Sequence, residues 1–473
     1  MIHNSPHIYY IGFIVSLDTT LATPTVPKST SIIETIFNVS QRKSTVGTEL
    51  YAGFITFLAM SYILAVNPAI LGDIPGMDRG AVFTATALAA GIATLIMGIF
   101  GNYPVMLAPG MSMNGFFKGL LFSGSVALVW HEALFGIFLS GVVYLIFSLT
   151  PIRKTMIEAI PEDLKLAITV SLGLFIAFLG LKNAGIIVAN PFILVSMGKI
   201  TEPQVMIAYI SIFIALACMI RDIKLATFIS FVASMVLTLG ADMLMGTSNA
   251  PIPETFISIP PSLAPSFGAI FNFSGFTPEK LFDLFFIVMV FFIVDFFDGL
   301  STIVGVGKDA GIIDENGKVP NAKSALVADA GGTVIGTVLG TTSITAFSES
   351  GIASSQGAKT GLAAVMTAGL FFLSLFFYPI FSVFSTAIVA PAMVVVGIYM
   401  VGRLGKIQWD KKESRIAAFF TIMFTVLSFS PANGMAMGFI TYAFSMLVAG
   451  KGKEVHPLIY GLSVIFIAYL VMM

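Results

Sequence analysis

The stretch LAPGMSMNGFF at residues 107–117 decides the fold, because it places a proline at the start of an apolar segment. Pro109 has no backbone donor and biases Ala108 toward extended geometry, so a full helix cannot begin before Pro109. The sequence therefore predicts a short extended piece that leads into a half-helix. A second stretch, TTSITAFSESG at residues 341–351, is rich in small and β-branched polar residues and predicts the same arrangement.

The composition around these two breaks is that of a membrane protein. Hydrophobic residues make up 57% of the 473 positions and charged residues only 10%, whereas soluble domains carry about 25% charged residues. Apolar runs such as 285–297 do not alternate with polar residues, which argues against a transmembrane barrel. The net charge of -1 suggests no nucleic-acid partner.

Apolar segments of the length needed for a helical span, about 20 residues, recur from residue 49 onward. About fourteen spans are predicted, at residues 49–71, 79–100, 109–123, 125–149, 163–189, 203–220, 223–244, 279–306, 322–340, 346–358, 360–384, 386–402, 413–449 and 456–472. The segment 413–449 is too long for one ordinary span and is interrupted by SPANG at 430–434, so it is either one broken segment or two short ones. The predicted fold class is an all-α polytopic membrane protein.

Basic residues indicate the orientation. Lys and Arg cluster in the loops that follow even-numbered spans, for example Arg153, Lys154, Arg221, Lys224 and Arg403, while residues 245–278 contain neither. By the positive-inside rule, the loops after even-numbered spans and the N-terminus are cytoplasmic. We therefore predict a multi-pass protein of the plasma (cell) membrane. The apolar run at 8–17 is read as a disordered or interfacial extension, with a signal-peptide core as the alternative.

An internal repeat is visible at an offset of 239 positions. This offset aligns ATLIMGIFG (93–101) with GTVIGTVLG (332–340), places Thr94 over Thr333 and brings the two breaks into register. Many transporters are inverted repeats with the binding site at the repeat interface. The sequence therefore predicts a 7+7 inverted repeat with broken half-helices in spans 3 and 10.

The two breaks form the predicted binding site. Irregular backbone at membrane depth is tolerated where protein or a wet cavity satisfies its polar groups. Half-helix N-termini near Gly110 and Glu349 would offer free N–H donors and a partial positive charge. A flat polar ligand fits between them. The alternative is a pair of kinked helices whose breaks serve packing alone.

Carboxylates close to these breaks are candidates for binding and for proton coupling. In VDFFDG (294–299), Asp295 and Asp298 share one helix face, and each would cost about 2.5 to 3.5 kcal/mol at the centre of a lipid-facing helix. The next basic residue, Lys308, lies roughly 15 Å further along a straight helix, so pairing within the helix is excluded. Asp295, Asp298 and Glu349 are therefore proton-coupling candidates, and the alternative for each is a structural contact.

Other residues near the breaks have two readings. Lys118 and Lys359 either pair with a carboxylate across the site or extend to the membrane interface. Tyr62 and Asn67 either line the site or belong to the core. Asp329, in the stretch LVADAGG, is predicted to be structural.

Several function classes are disfavoured. The four histidines lie in the N-terminal tail or near segment ends, the single cysteine is Cys218, and the chain has no phosphate-cradling glycine–lysine loop. No metal, cofactor or direct ATP coupling is therefore expected. An intramembrane enzyme would lack a histidine or metal set, and a channel would need a continuous polar pore. The chain is predicted not to be an enzyme.

Five motifs together resemble the AzgA-like purine permeases, a branch of the nucleobase transporters in the uracil/xanthine/ascorbate permease superfamily. They are ELYAGFITFLAMSYILAVNP from Glu49, GMDRGAVFTATALAA from Gly76, LAPGMSMNGFF from Leu107, VDFFDG from Val294 and TTSITAFSESGIASSQGAKTGL from Thr341. The resemblance covers about residues 40–470.

The resemblance implies a domain organisation. After an N-terminal extension (1–45), a core domain would comprise spans 1–4 (46–150) and 8–11 (279–384). A gate domain would comprise spans 5–7 (151–250) and 12–14 (385–473), with an extracellular loop at 251–278. The core would move against the gate, and dimerisation through the gate domain is expected by resemblance.

The resemblance also implies proton-coupled import of purine nucleobases such as guanine, hypoxanthine or adenine. The base would be held by the third and tenth half-helices and the eighth span, with no cofactor and no metal. The substrate-binding residues carried over are Gly110, Ser112, Asn114, Asp295, Ser348 and Glu349. Among them, Asp295 and Glu349 would accept hydrogen bonds from the base.

Two departures from the family pattern lie near this site, and alternatives remain. GMSMN at 110–114 stands where the family usually has GMGLN, and GAKTG at 357–361 stands where it has GGRTG. These changes weaken any choice among purines. The alternatives are a uracil or xanthine permease of the same superfamily and an anion carrier related to sulfate transporters. The acidic residues of VDFFDG and Glu349 argue against the anion carrier.

Overall fold

The computed structural model describes residues 32–123, 126–150, 159–246, 250, 252–313 and 320–472, which are predominantly helical. Within these residues, eight helices are long and apolar enough to cross a membrane. The N-terminal run at 8–17 lies outside the described residues, as do Arg153 and Lys154. The chain is thus a helical polytopic protein, as its composition predicts.

The first predicted core region contains a short strand as well as helices. Its elements are α1 (Ile32–Phe37), α2 (Val46–Met60), α3 (Ile63–Leu71), α4 (Arg79–Ile96), β1 (Leu107–Pro109), α5 (Met111–Ser123) and α6 (Trp130–Leu149). A π-helical turn, Met97–Gly101, extends α4. The predicted first span is therefore two helices, which meet at Ser61 and Tyr62.

The next region corrects the prediction for the fifth span. Its elements are α7 (Glu162–Asn183), β2 (Ile187–Asn190), β3 (Leu194–Met197), α8 (Pro203–Ile220) and α9 (Ala226–Met245). The predicted span 163–189 was too long, because α7 ends at Asn183 and β2 pairs with β3 in an antiparallel hairpin. Gly185 has φ +73, a left-handed conformation that commonly ends a helix.

The second half begins after the predicted outer loop. Its elements are α10 (Leu281–Asp309), α11 (Ala322–Leu339), β4 (Ile344–Ala346), α12 (Ser350–Ser355), α13 (Leu362–Ser374), α14 (Tyr378–Ser382), α15 (Thr386–Val401), α16 (Lys412–Leu427), α17 (Pro431–Val448) and α18 (Pro457–Met472). The predicted tenth span at 346–358 therefore contains a helix of only six residues, preceded by a strand.

The two breaks cross at the centre of the fold. Strands β1 and β4 are antiparallel, with Ala108 opposite Thr345. Beyond the strand ends, the Gly110 amide donates to the Ser343 carbonyl at 3.0 Å, and the Phe347 amide donates to the Met106 carbonyl at 3.0 Å. The strands thus satisfy one another's backbone groups where the chain is fully buried.

A threonine on each adjacent helix holds one strand in place. The Thr94 hydroxyl on α4 donates to the Leu107 carbonyl and accepts from the Leu107 amide, both at 2.9 Å. On α11, the Thr333 hydroxyl lies 2.9 Å from the Ile344 carbonyl and accepts from the Ile344 amide at 3.1 Å. The two threonines that the offset of 239 positions aligns therefore make equivalent contacts.

Helices α7 and α15 pack closely beside the crossing strands. A Cβ atom on Gly397 would lie 2.5 Å from the carbonyl oxygen of Gly173, and one on Gly180 would lie 2.8 Å from that of Ala390. Such close approach of two backbones requires glycine. This pair supplies one wall of the central cavity described below.

The segment 413–449 forms a helical hairpin, which resolves an ambiguity of the sequence. Helices α16 and α17 are separated only by residues 428–430 and pack along each other. The Lys451 ammonium contacts the Glu413 carboxylate at 2.5 Å, so the two far ends of the hairpin lie side by side. The region 385–473, predicted to hold three spans, therefore contains four helices.

Crosslinking tests this hairpin. In a Cys218→Ser background, we expect Glu413→Cys and Lys451→Cys to be joined by a short bis-maleimide, because their side chains are in contact. The measurement is the mobility shift after site-specific proteolysis between the two positions. The control pair is Glu413→Cys with Phe429→Cys, which a 16-residue helix separates by about 24 Å. Crosslinking of the control pair alone would contradict the hairpin.

Candidate binding site at the crossing strands

A cavity of about 80 Å³ lies where the two strands cross. Its walls come from the starts of α5 and α12, strand β4, one face of α10, and the helices α7 and α15. A single water needs about 10–15 Å³ measured in the same way, so the space exceeds that of a few waters. The cavity therefore sits at the position that the two breaks predict.

Four of the six predicted substrate-binding residues line this cavity: Gly110, Ser112, Ser348 and Glu349. Helix α5 begins immediately after Gly110, and the amides of its first turn have no partner within the helix. The start of this 13-residue helix also carries the positive end of its dipole. The half-helix thus presents donors to the cavity. The predicted counterpart, α12, has only six residues and offers no comparable helix terminus.

Glu349 is held at the cavity wall by neighbouring hydroxyl groups. The Tyr62 hydroxyl donates to its Oε1 at 2.6 Å, and the Ser348 hydroxyl donates to its Oε2 at 3.2 Å. Tyr62 lies at the junction between α2 and α3 and is itself fully buried. It lines the cavity, which decides between the two readings that the sequence left open.

Asp298 and Arg403 also line the cavity and bring opposite charges to it. Asp298 lies on α10, whereas Arg403 follows the end of α15. Arg403 is the one basic residue among the described residues that line the cavity. Sequence reasoning assigned Arg403 to a cytoplasmic cluster of positive charge. Its position directly after the apolar span does not distinguish a cavity residue from a loop residue.

Asp295 and Asn114 lie behind the cavity wall and are not among its lining residues. Asp295 is 1% exposed, and its Oδ2 accepts a 2.7 Å hydrogen bond from the Thr333 hydroxyl. The Asn114 side chain accepts from the Thr342 hydroxyl and connects α5 to the segment before β4. In this conformation, both residues support the strands rather than face the open space.

A second space of about 330 Å³ adjoins the central cavity at Glu349. Ser348, Glu349, Val396 and Tyr399 line both spaces. This second space is also lined by residues 222–224, in the loop that joins α8 to α9. Glu349 and Tyr399 therefore stand between the central cavity and a vestibule.

The two lysines near the breaks do not reach the cavity. Lys118 contacts the Asp73 carboxylate at 2.6 Å, and half of the Asp73 side chain is exposed. Lys359 contributes backbone groups: its amide donates to Glu49, and its carbonyl accepts from Arg42. Among the described residues, no group of three or more acidic, histidine or cysteine side chains is arranged to hold a metal ion.

Comparison with known proteins identifies the family. Residues 47–436 match the family model described as "Permease family" (Xan_ur_permease). The chain belongs to this family. It is therefore a transport protein of the membrane rather than an enzyme, and the resemblance carried by its motifs is confirmed.

Relatives of known name cover nearly the whole chain. The guanine/hypoxanthine permease PbuG of Bacillus subtilis is 40% identical over 93% of this chain and 99% of its own length. The adenine permease AdeP of Escherichia coli is 35% identical over 93% of this chain and 96% of its own length.

Solved structures show the fold. The transmembrane domain of the cyanobacterial bicarbonate transporter BicA superposes with a TM-score of 0.58 and 14% identity, covering 83% of this chain and 97% of that chain. SLC26A9 gives a TM-score of 0.58 and 12% identity, covering 94% of this chain and 73% of that chain. The architecture is therefore shared with membrane transporters of very different sequence.

The hydrogen bond between Asn114 and Thr342 should stabilise the crossing. We expect Asn114→Ala to lower the unfolding free energy by about 1–3 kcal/mol, because it leaves the buried Thr342 hydroxyl without its partner. Thermal unfolding in detergent measures the change as a lower melting temperature. Thr342→Val should give a similar loss, and the double variant should lose less than the sum of the two. Strict additivity would show that the two side chains do not interact.

Proposed function

We propose that this permease imports purine nucleobases such as guanine, hypoxanthine or adenine across the cell membrane, with the N-terminus in the cytoplasm. The transport mode is proton symport with alternating access. The observation that carries the proposal is the cavity at the crossing strands, where carboxylate acceptors and helix-terminal donors face one small space. The names of PbuG and AdeP support the choice of purines.

The cavity has hydrogen-bonding groups that suit a purine. A purine base is flat, and its edge carries ring N–H donors beside ring nitrogen acceptors. Glu349 and Asp298 supply acceptors, while the first amides of α5 and the Ser112 hydroxyl supply donors. A site of this kind rejects a ligand that leaves its buried polar groups unpaired. Asn114 and Asp295 contribute by fixing the strands, and Asp295 is also a candidate for proton coupling.

Alternating access requires movement between two units. We propose that residues 46–150 and 279–384 form the core, and that 151–250 and 385–473 form the gate. The cavity is bounded by both, since Asp298 and Glu349 belong to the proposed core while Tyr399 and Arg403 belong to the gate. The vestibule beside Glu349 reaches the loop of Asp222 and Lys224, which would be cytoplasmic. This conformation is therefore inward-facing in our proposal.

The inverted repeat forms part of the same proposal. The equivalent contacts of Thr94 and Thr333 support it, as does the pairing of one strand from each half. If α16 and α17 are counted as spans 13 and 14, they correspond in the repeat to α8 and α9, which also form a pair of adjacent helices. Helix α18 then follows the second repeat as an additional element.

Glu349→Gln tests the proposed role of this carboxylate. We expect purine uptake into proteoliposomes under an inward proton gradient to fall at least tenfold, because hydrogen bonds to a charged group contribute about 1.5–3 kcal/mol. Labelled hypoxanthine, guanine, adenine and uracil should be compared with and without the gradient. The control is Glu279→Gln, because Glu279 is an exposed acidic residue just before α10. Uracil uptake without purine uptake would favour the pyrimidine alternative, and full purine uptake by Glu349→Gln would contradict the assigned role.

Arg403→Met tests the charge that the gate brings to the cavity. We expect weaker binding of the base by about tenfold, because Asp298 loses the positive charge that favours its ionised, hydrogen-bond-accepting form. Equilibrium binding of labelled hypoxanthine to the purified protein measures the effect. Arg403→Lys should retain more affinity than Arg403→Met, and the exposed Arg415→Met should bind like the wild type. Unchanged affinity in Arg403→Met would show that this charge does not act on the site.

A further inference from the structure

A cluster of buried polar groups lies behind strand β4, outside the base cavity. Asp295 on α10 and Asp329 on α11 are 1% and 0% exposed. The Tyr144 hydroxyl on α6 donates to Asp329 Oδ2 at 2.9 Å, and the Thr333 hydroxyl donates to Asp295 Oδ2 at 2.7 Å. Asp329, predicted to be structural, therefore belongs to the same buried cluster as Asp295.

The backbone of α10 makes room for the second carboxylate. Gly299 lies one helical turn after Asp295, and a Cβ atom at Gly299 would be 1.9 Å from Asp329 Oδ2. On α11, Asp329 and Thr333 are likewise one turn apart and share a face. Two matching faces therefore meet, with Asp295 against Thr333 and Gly299 against Asp329.

The fold itself does not require these two acids. At the repeat offset of 239 positions, Thr56 corresponds to Asp295 and Ala90 corresponds to Asp329. The first half nevertheless holds its strand by the same threonine contact, from Thr94 to Leu107. The carboxylates are thus an addition to one half of a shared scaffold.

One oxygen of each carboxyl group makes no close hydrogen bond, although Thr345 approaches Asp295 and the Ala346 amide approaches Asp329. Within the described part of the chain, Asp295 Oδ1, Asp329 Oδ1 and Thr345 Oγ1 are buried and make no hydrogen bond. None of the ion pairs found among the described residues involves Asp295 or Asp329. Two buried carboxylates in one site cannot both be charged without a bound cation, because each excludes the other's charge. The geometry therefore calls for a small positively charged ligand.

We propose that Asp295 and Asp329 share a single bound proton, and that this pair is the coupling site of the permease. The inference rests on the proposed proton symport and names the groups that perform it. The other titratable groups that face the pair are Tyr144 on α6 and Asp298 on α10, while Glu349 and Arg403 lie in the adjacent cavity. The coupling ion and the base thus occupy separate places on either side of β4.

Thr333 connects the pair to the base cavity. Its hydroxyl has one proton but two acceptors within reach, Asp295 Oδ2 at 2.7 Å and the Ile344 carbonyl at 2.9 Å. When Asp295 is ionised, Thr333 donates to the carboxylate. When the proton of the pair resides on Asp295 Oδ2 rather than on Asp329, Asp295 donates to the Thr333 oxygen, and Thr333 donates to Ile344. Ile344 begins β4, whose next residues, Thr345 and Ala346, line the cavity.

Infrared spectroscopy tests the pair without relying on transport. We expect the purified wild type, free of base, to show a protonated-carboxyl C=O stretching band at neutral pH. This band should be lost in Asp295→Asn, and its pH titration should shift in Asp329→Asn. The control is Asp163→Asn, because Asp163 is also a buried carboxylate but accepts from Gln408 and Ser414 far from the pair. A wild type without the band, or Asp329→Asn with an unchanged titration, would overturn the proposal.

Transport by a matched pair of variants tests the connection through Thr333. Thr333→Val and Thr94→Val each remove one strand-holding hydroxyl, but only Thr333 contacts a carboxylate. We expect the ratio of hypoxanthine accumulation with and without the proton gradient to fall about tenfold in Thr333→Val, to persist in Thr94→Val and to be restored in Thr333→Ser. Equal ratios in both valine variants would overturn the connection.

The outcomes separate this inference from the proposed function. Wild-type liposomes that accumulate no base would refute the proposed function, while the infrared titration would still decide whether the two carboxyl groups share a proton. Accumulation that follows a sodium gradient instead of a proton gradient would overturn the proton as ligand. Base accumulation that depends on protons but is unaffected by Asp329→Asn would leave the proposed function intact and refute the pair.

Discussion

The rest of the structure depends on the pairing of two three-residue strands inside a helical membrane protein. In a bilayer, backbone groups outside a helix find no water, so an extended segment must be satisfied by protein. Here the backbone groups of β1 and β4 pair with each other. The Thr94 and Thr333 hydroxyl groups bond the backbone groups of Leu107 and Ile344 that this pairing leaves free. The helices that begin after these strands can therefore start at the centre of the fold. The cavity exists because of those starts.

The chemistry is arranged on the two sides of β4. The open side carries Asp298, Glu349 and the first turn of α5, which together suit a flat polar ligand. The closed side carries Asp295 and Asp329, which accept hydrogen bonds from the Thr333 and Tyr144 hydroxyl groups. One strand of three residues thus separates groups that line the cavity from groups that are buried behind it. A change in the hydrogen bonds of Ile344 would therefore alter the position of groups on both sides of β4.

The sequence predicts the parts of this arrangement that depend on local chemistry. Pro109 and the polar run before Glu349 locate both strands, and the apolar segments locate most helices to within a few residues. The sequence does not predict which residues of other helices these side chains contact. Helical spacing shows that Asp295 and Asp298 lie on one side of α10, but not that Thr333 bonds Asp295 while Asp298 lines the cavity. Because residues 184–189 are apolar, hydropathy predicts a span that continues through them. In the structure, Gly185 ends the helix and the chain enters a β-hairpin. Arg403 was missed as a site residue because a charge at the end of a span has the same sequence pattern in a loop and in a cavity.

The matching contacts of Thr94 and Thr333 have a consequence for how such a chain can evolve. In each half a threonine hydroxyl holds the strand, so this contact needs no acidic residue in either half. A duplicated ancestor could therefore keep one half as it was while the other accumulated ionisable groups, without passing through an unstable intermediate. Thr56 and Ala90 occupy the positions of the first half that correspond to Asp295 and Asp329 in the second. The asymmetry between the halves, more than their similarity, then places both buried carboxylates of this cluster in the second half.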